Sequence, residues 1–229
     1  ARSRGLGDVY QRQVKVFNEI EQVSKNVVTT NKTGGAKKGK ESAGGAPPQQ
    51  PGVLMWNAGI VYFAEQFTAE TTKPVINTII EKNLMPNSER PNEITLVINS
   101  PGGSVHAAFA LIDTMKGSAI PIKTVGLGLI ASCGILTFMA GTKGKRLITP
   151  NTSILSHQYS WGSQGKEHEL FARVREYELS TERMIEHYKK CTGLKEKQIR
   201  EVLLPPQDVW LSAEDAVKYG IADKIVSTY

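Results

Sequence analysis

The stretch GLGLIASCGILTFMAG, residues 126–141, places one hydroxyl, Ser132, and one thiol, Cys133, in a segment without a charged residue. The residues IKTVGLG predict a strand that ends near Gly128, and SCGILTFMAG predicts a helix that begins near Ser132. Ser132 would then lie at a helix N-terminus, where backbone N–H groups converge and the helix dipole favours negative charge. Small neighbours would let a substrate backbone approach this serine: Gly126, Gly128, Ala131 and Gly134. A nucleophilic serine needs this setting, but a serine that caps an ordinary strand-to-helix turn has the same pattern.

The same order of strand and helix precedes this stretch. The segments GIVYFA and ITLVINS are strand-like, and TAETTKPVINTIIEKNL and SVHAAFALIDTMKG are helix-like. Strands and helices thus alternate three times at intervals of about 30–35 residues, which predicts an α/β fold of βαβ units around a mostly parallel sheet. A long helix over about 166–191, two short helices and the strand-like GIADKIV follow.

The composition divides the chain into three parts. Residues 1–26 contain a predicted helix, residues 27–57 are rich in Gly, Lys and Pro and predict a mobile linker, and residues 58–229 hold the apolar patterns of the domain. Residues 1–56 carry nine Lys/Arg and four Asp/Glu, so most of the net charge of +6 lies there. The nearly neutral remainder does not suggest a nucleic-acid partner.

Three simple signals bear on the environment of the protein. No apolar run is long enough to span a membrane, and the first residues lack the apolar core of a secretory signal. The two cysteines are too few for a disulfide framework. We therefore expect a reduced, intracellular protein, in the cytoplasm or in an organelle matrix or stroma of bacterial descent, with no membrane partner.

A second loop strengthens the case for catalysis at Ser132. NSPGGSV, residues 99–105, also joins a strand to a helix, and in a parallel sheet both loops emerge at the carboxyl ends of the strands, where ligands bind. The N–H groups of Gly103 and Cys133 could form a two-donor oxyanion hole. The loop matches neither of the common glycine-rich nucleotide-binding patterns, so a plain glycine turn is the main alternative.

A serine nucleophile needs a base and an acid that orients it. Among the four histidines, His168 and His187 are expected to face solvent on the long charged helix, and His106 to be packed or bonded locally. His157 ends the strand-like run SILSHQ and is the best candidate base, although a structural imidazole would fit the same position. Asp208 is the candidate acid by elimination, because it precedes an apolar triplet and has no obvious local partner.

These residues also carry a family resemblance. INSPGGSV, GLGLIASCGILTFMAGTKGKR, PNTSILSHQ, GSQG and DVWLSAEDAVKYGIADKI resemble, in that order, the caseinolytic protease family ClpP over roughly residues 58–229. The family's Ser-His-Asp triad maps onto Ser132, His157 and Asp208, and its oxyanion donors map onto Gly103 and Cys133. The resemblance implies a serine endopeptidase with a ClpP/crotonase-type spiral of βαβ units and a protruding handle helix at about 164–193.

The resemblance further implies an assembly and a substrate. Peptide contacts are expected from both loops of the site: Gly102, Ser104, Val105, Gly162, Gln164 and Gly165. The segment WGSQG would form a strand that pairs with the substrate. Two stacked seven-membered rings, homomeric or mixed with related subunits, would enclose the sites, and Leu170, Phe171, Val174 and Leu179 of the handle would face the opposite ring. Unfolded polypeptides would be delivered by a separate Clp-type AAA+ unfoldase that uses the ATP, so no cofactor or metal is expected in this chain.

The sequence departs from the family pattern at several points. Cys133 replaces a usual Met, HQYSW replaces a usual His-Gln-Pro, and the linker separates the first helix from the first strand. Three alternatives therefore stay open: a ClpP-like phage capsid maturation protease, a crotonase-like acyl-CoA enzyme, and a non-catalytic ring subunit.

Overall fold

Part of the predicted linker is helical. The computed structural model describes residues 51–160 and 162–229, so the helix predicted within 1–26 and residues 27–50 of the predicted linker lie outside the described residues. The last seven residues of the expected linker form helix α1 (Pro51–Asn57). The ammonium of Lys82, in helix α2 (Ala69–Leu84), lies 3.3 Å from the centroid of the Trp56 ring of α1. This cation–π contact adds to the packing of α1, and Gly and Pro content alone does not reveal it.

Seven strands form a single sheet among the described residues: β1 (Ile60–Phe63), β2 (Ile94–Ser100), β3 (Ile122–Ala131), β4 (Arg146–Ile148), β5 (Ser153–Ser156), β6 (Val209–Leu211) and β7 (Lys224–Ile225). Five of them run parallel in the order β1-β2-β3-β4-β7. β5 pairs in parallel with β3, and β6 pairs antiparallel with β5. The prediction of an α/β fold with a mostly parallel sheet is confirmed.

Strand β3 is longer than predicted and has a divided edge. Its residues 124–126 pair with β4, and its residues 129–131 pair with β5. Gly128, between the two halves, has φ 60°, which a residue without a Cβ adopts easily. The predicted end of the strand near Gly128 is wrong, because pairing with β5 carries the strand on to Ala131. Ser132 is therefore the first residue after the strand.

Apart from α1, the helices lie where the sequence predicts them. Beyond α1 and α2 they are α3 (Val105–Gly117), α4 (Cys133–Met139), α5 (Glu167–Thr192), α6 (Glu196–Gln198), which runs into a π-helical turn (Ile199–Leu203), and α7 (Ala213–Lys218). All seven residues of α4 are buried. The helix that follows Ser132 is thus the centre of the core, which explains why its sequence has no charge.

The long helix α5 has two different halves. The buried residues of α5 all lie in its second half: Ser180, Met184, Ile185, His187 and Tyr188. In its first half Phe171 is 67% exposed and Val174 is 41% exposed. These two apolar side chains of the first half therefore face solvent, and the interpretation of α5 as a handle helix stays a prediction.

A buried ion pair closes the far end of the sheet. Arg146 of β4 is only 1% exposed, and its guanidinium donates to both carboxylate oxygens of Asp223, at 2.9 and 2.6 Å. The same guanidinium donates to the carbonyl oxygens of Cys191 and Gly220. This Arg146–Asp223 cluster joins β4, the end of α5 and the C-terminal segment.

Candidate active site

Ser132 has an unusual backbone conformation at the turn between β3 and α4. Its φ is 53° and its ψ is −118°, and it is the only non-glycine residue with positive φ in residues 51–160 and 162–229. Its N–H donates to the carbonyl oxygen of Leu155 at 2.9 Å, which continues the pairing of β3 with β5. Its side chain makes no capping hydrogen bond to α4. Such a conformation costs on the order of 1–3 kcal/mol and is typical of functional turns, so the plain N-cap alternative is not what the structure contains.

The Gly102–Gly103 loop lies against Ser132. A Cβ at Gly102 would lie 2.6 Å from the Ser132 Cβ, and a Cβ at Gly103 would lie 2.5 Å from the Phe67 carbonyl oxygen. Both glycines have positive φ, 98° and 145°. The close packing of the two turns thus depends on the absence of side chains at these positions.

Two backbone N–H groups at this contact remain available. Phe67 pairs with the loop by donating to the Gly102 carbonyl oxygen and accepting from the Ser104 N–H, each at 2.8 Å. The Gly103 N–H takes no part in that pairing. Within the described ranges, neither the Gly103 N–H nor the Cys133 N–H donates a hydrogen bond to another residue. In the described structure, both expected oxyanion donors are therefore free to donate to a substrate.

The sheet places His157 and Asp208 at the same end as Ser132. The last paired positions of β5 and β6 are Ser156 and Val209, so His157 and Asp208 are the next pair along the two strands. On the other side of β5, Ala131 pairs with Leu155. Ser132, His157 and Asp208, far apart in sequence, therefore meet at one end of the β3-β5-β6 group.

The side chains of Ser132, His157 and Asp208 are not hydrogen-bonded to one another in the described structure. His157 Nδ1 lies 2.6 Å from the Gln158 carbonyl oxygen, and because a carbonyl only accepts, Nδ1 carries the proton. Across residues 51–160 and 162–229, no side-chain hydrogen bond joins Ser132 to His157 or His157 to Asp208. Catalytic hydrogen bonds often form fully only with substrate bound, and the Nδ1–H tautomer is the one that could donate to a carboxylate.

Comparison with known proteins identifies the family. A family model for Clp protease matches residues 53–229. The chain belongs to the Clp protease family. The predicted resemblance is confirmed, and the chain is a Clp-type serine peptidase.

Three relatives from bacteria support this assignment to the Clp proteases. The ATP-dependent Clp protease proteolytic subunit of Deinococcus radiodurans is 36% identical over 152 residues, 66% of this chain and 73% of that protein. The ATP-dependent Clp protease proteolytic subunit 1 of Chlamydia felis is 36% identical over 160 residues, 69% of this chain and 78% of the relative. The proteolytic subunit 2 of Chlamydia abortus is also 36% identical over 160 residues, 69% of this chain and 77% of its own.

The thiol beside the serine holds the two turns of this Clp protease site together. Cys133 Sγ donates to the Gly103 carbonyl oxygen at 3.2 Å. Burial raises the pKa of the Cys133 thiol to about 11, so the sulfur stays protonated at neutral pH and does not compete as a nucleophile. The sequence suggested a role only for the backbone of Cys133, and the side-chain contact became visible only in three dimensions.

The other histidines of the Clp protease chain have structural surroundings. His168 is exposed, as predicted. The prediction for His187 is wrong: it is 3% exposed, its Nε2–H donates to the Leu136 carbonyl oxygen at 2.8 Å, and Lys116 Nζ lies 3.2 Å from its Nδ1. Burial, and then the Lys116 charge, lowers its pKa to about 4, so this ring is neutral. The expectation of a local partner for His106 is also wrong, because its Nε2 lies 3.1 Å from Glu176 Oε1 on α5.

The aspartates of the domain differ in their surroundings. Asp223 is held by Arg146, Asp215 caps α7 by bonding Ser212, and Asp113 is exposed on α3. Asp208 is exposed at the start of β6. Bonds to other groups thus account for Asp223 and Asp215, and the choice of Asp208 as the acid stays a prediction.

The residues expected to contact the substrate have different surroundings. Ser104 Oγ accepts from the Ala107 N–H at 3.4 Å as the cap of α3, and the Val105 side chain is buried in the core. Gly162, Gln164 and Gly165 are exposed, and residues 162–165 form no strand in the described structure. A substrate-pairing strand there would have to form when the peptide binds.

Neither a metal-binding cluster nor a membrane-spanning helix occurs in the described residues of this Clp protease. No group of three His, Cys, Asp or Glu side chains that could hold a metal ion occurs in residues 51–160 and 162–229. Over the same part of the chain, no helix has the length and apolar character that crossing a membrane requires.

Proposed function

We propose that Ser132, His157 and Asp208 are the catalytic triad of this Clp-type endopeptidase. The observation that carries the proposal is the strained turn at Ser132, which faces two uncommitted N–H groups. Ser132 Oγ attacks the carbonyl carbon of the scissile peptide bond, and His157 accepts its proton through Nε2. Asp208 orients the ring by accepting from Nδ1–H, so the His157 side chain exchanges the Gln158 carbonyl oxygen for the Asp208 carboxylate.

The oxyanion that forms on the attacked carbonyl is stabilised by Gly103 N–H and Cys133 N–H. These donors are preorganised because Phe67 pairs around Gly103 and the Cys133 thiol holds the Gly103 carbonyl. His157 then donates the proton it took from Ser132 to the leaving amine as the C–N bond breaks, which leaves an acyl ester on Ser132. Water, deprotonated by the neutral His157, attacks the ester, and the acid product and free Ser132 are released. The chemistry needs only these side chains and backbone groups, so we propose no metal or cofactor in this chain.

The decisive experiment labels the nucleophile directly. The assembled protein is treated with a fluorophosphonate probe, and hydrolysis of a short fluorogenic peptide is measured in parallel. Ser132→Ala should abolish labelling and lower hydrolysis by several orders of magnitude, about 10⁶ where a triad acts as a unit. Ser153→Ala, an exposed serine on β5, is the matched control and should keep both activities. Retained labelling of Ser132→Ala would assign the nucleophile to another residue.

The biological substrate and partners follow from the relatives' names, which describe proteolytic subunits of ATP-dependent proteases. We propose that this subunit cleaves unfolded polypeptides. A separate Clp-type AAA+ unfoldase uses ATP to unfold these substrates and deliver them. The complex works in the cytoplasm or in an organelle of bacterial descent. A stable folded protein should be degraded only when unfoldase and ATP are both present. Degradation without them would favour a capsid-type maturation protease.

We propose an assembly of two stacked heptamers in which the first half of α5 meets the opposite ring. The exposed Phe171 and Val174 support this, because residues three apart are neighbours on one helix face and together form an apolar patch in solvent. Phe171→Glu with Val174→Glu should split the particle by light scattering, and Arg175→Glu, on the same half, should not. An unchanged particle mass in the double variant would assign the ring contact to another surface.

A further inference from the structure

A cavity lies between the segment that follows His157 and the first half of α5. It is lined by Tyr159, Gly162, Arg173, Glu176 and Tyr177. Of these, only Gly162 was expected from the sequence to contact substrate. The other four side chains come from a departure in the family pattern, HQYSW, and from the handle helix.

Two walls of the cavity are connected to segments of the proposed active site. Tyr159 follows His157 by two residues. On the opposite wall, Glu176 Oε1 is hydrogen-bonded to Nε2 of His106, three residues after Gly103. A peptide carbonyl held between Ser132 and the Gly103 N–H would therefore have its neighbouring side chain within reach of this cavity.

The walls offer aromatic faces. The rings of Tyr159 and Tyr177 are stacked, with centroids 5.5 Å apart and an angle of 18° between the planes. Tyr159 is half-buried and packs against the hydrophobic core, and burial raises the pKa of its phenol. This stacked pair is a rigid surface on which another flat ring can lie.

The cavity also contains one group of each charge with unused bonding capacity. Arg173 NH1 donates to Ser163 Oγ at 2.8 Å, which uses one of the five N–H donors of the guanidinium. Glu176 accepts from His106, Ser180 and Arg183 through Oε1 alone, so its Oε2 takes no hydrogen bond within the described residues. A charged guest would be attracted by one of these groups and repelled by the other, whereas a neutral hydroxyl can donate to Glu176 and accept from Arg173 without repulsion.

We infer that this cavity binds the substrate side chain next to the scissile bond and selects tyrosine. The inference rests on the proposed function. The guest ring stacks on the tyrosine pair, and its hydroxyl donates to Glu176 Oε2 and accepts from the Arg173 guanidinium. Phenylalanine keeps the stacking and loses the hydroxyl bonds, and leucine loses both.

The test measures kcat/KM for fluorogenic peptides that differ only in the residue before the scissile bond: Tyr, Phe, Leu, Asp and Lys. The wild-type protein should prefer Tyr to Phe and Phe to Leu, and should cleave the Asp and Lys peptides least. Tyr177→Leu should lower the ratio of Tyr to Leu cleavage by about tenfold. Glu176→Gln, which keeps the shape of the side chain, should lower the ratio of Tyr to Phe cleavage, and Arg175→Ala on the same helix should change neither ratio.

Fluorophosphonate labelling of each sample separates the two proposals and controls for folding. A labelled wild-type protein with no Tyr preference, or variants that change all five peptides by one factor, would overturn the tyrosine pocket and leave the triad standing. Wild-type protein that neither labels nor hydrolyses any peptide would overturn both. Tyr159→Leu is the second variant if Tyr177→Leu does not fold, and an unchanged ratio in it would also overturn the pocket.

Discussion

Two clusters of polar residues lie at opposite ends of the β4–β3–β5 region, and they differ in how well their groups are satisfied. In the Arg146–Asp223 cluster the guanidinium has four hydrogen bonds to described acceptors, and Asp223 also accepts from the N–H groups of Gly144 and Arg146. The Ser132 cluster consists of Ser132, His157, Asp208 and the N–H groups of Gly103 and Cys133. Here the serine backbone is strained, the two N–H groups have no acceptor among the described residues, and the His157 ring is bonded to the Gln158 carbonyl oxygen. Satisfied polar groups stabilise a fold, whereas preorganised and unsatisfied ones can bind a transition state. Substitutions in the two clusters should therefore separate stability from activity.

The largest expected effect lies in the Ser132 cluster and concerns activity alone. Asp208→Asn should lower kcat by about 10⁴, because an amide favours the wrong tautomer of His157, while the urea midpoint stays unchanged. Steady-state peptide hydrolysis and equilibrium unfolding measure the two quantities. Asp113→Asn is the matched control and should be active; a reversed result would assign the acid to Asp113.

The next effect lies in the Arg146–Asp223 cluster and concerns stability. Arg146→Ala should lower the free energy of unfolding by about 3–5 kcal/mol, because Asp223 would keep a buried charge without its partner. Arg200→Ala breaks the ion pair between Arg200 and Glu196, whose side chains are 54% and 49% exposed. This change should lower the free energy of unfolding by less than about 1 kcal/mol. Equal losses in the two variants would contradict the contrast between buried and exposed pairs.

A smaller effect should appear on acidification. Burial alone would raise the pKa of Asp223, but the hydrogen bonds and charge of Arg146 outweigh it and leave the pKa below its ordinary value. The carboxylate therefore contributes stability that is present above its unfolded pKa of about 4 and is lost as pH falls through the folded value. The difference in unfolding free energy between wild type and Asp223→Asn should be largest near pH 7 and shrink toward pH 3. A constant difference would show that the charge of Asp223 is not what the cluster uses.

The smallest expected effect concerns the contribution of the Ser132 turn to stability. Ser132→Gly should raise the free energy of unfolding by about 1 kcal/mol, because glycine adopts positive φ without strain, partly offset by its greater freedom in the unfolded chain. Ser132→Ala keeps the Cβ and the strain and should show no such gain. Thermal unfolding of the two inactive variants side by side measures the difference. Equal midpoints would mean that the turn is not strained.

Much of the site could be predicted because its parts are local in sequence. The small residues around Ser132 and the pair Gly102–Gly103 indicate close backbone approach, and a histidine at the end of SILSHQ indicates a strand end. His187 was mispredicted because a charged helix was taken to face solvent on all sides, whereas its second half packs on α4. The fraction of charged residues describes a whole helix, whereas the burial of one side chain depends on which face of the helix packs against the core.

The sequence by itself determined the alternation of strands and helices, the two glycine-rich turns and the membership in the Clp protease family, since these depend on residues close together in the chain. Only the tertiary structure decided the pairing of β5 with both β3 and β6, which brings His157 and Asp208 to Ser132. It also decided the thiol bond from Cys133 to Gly103 and the stacking of Tyr159 on Tyr177. Contacts of this kind join residues far apart in the chain, and they form only when many weak packing interactions hold the two segments in place at once.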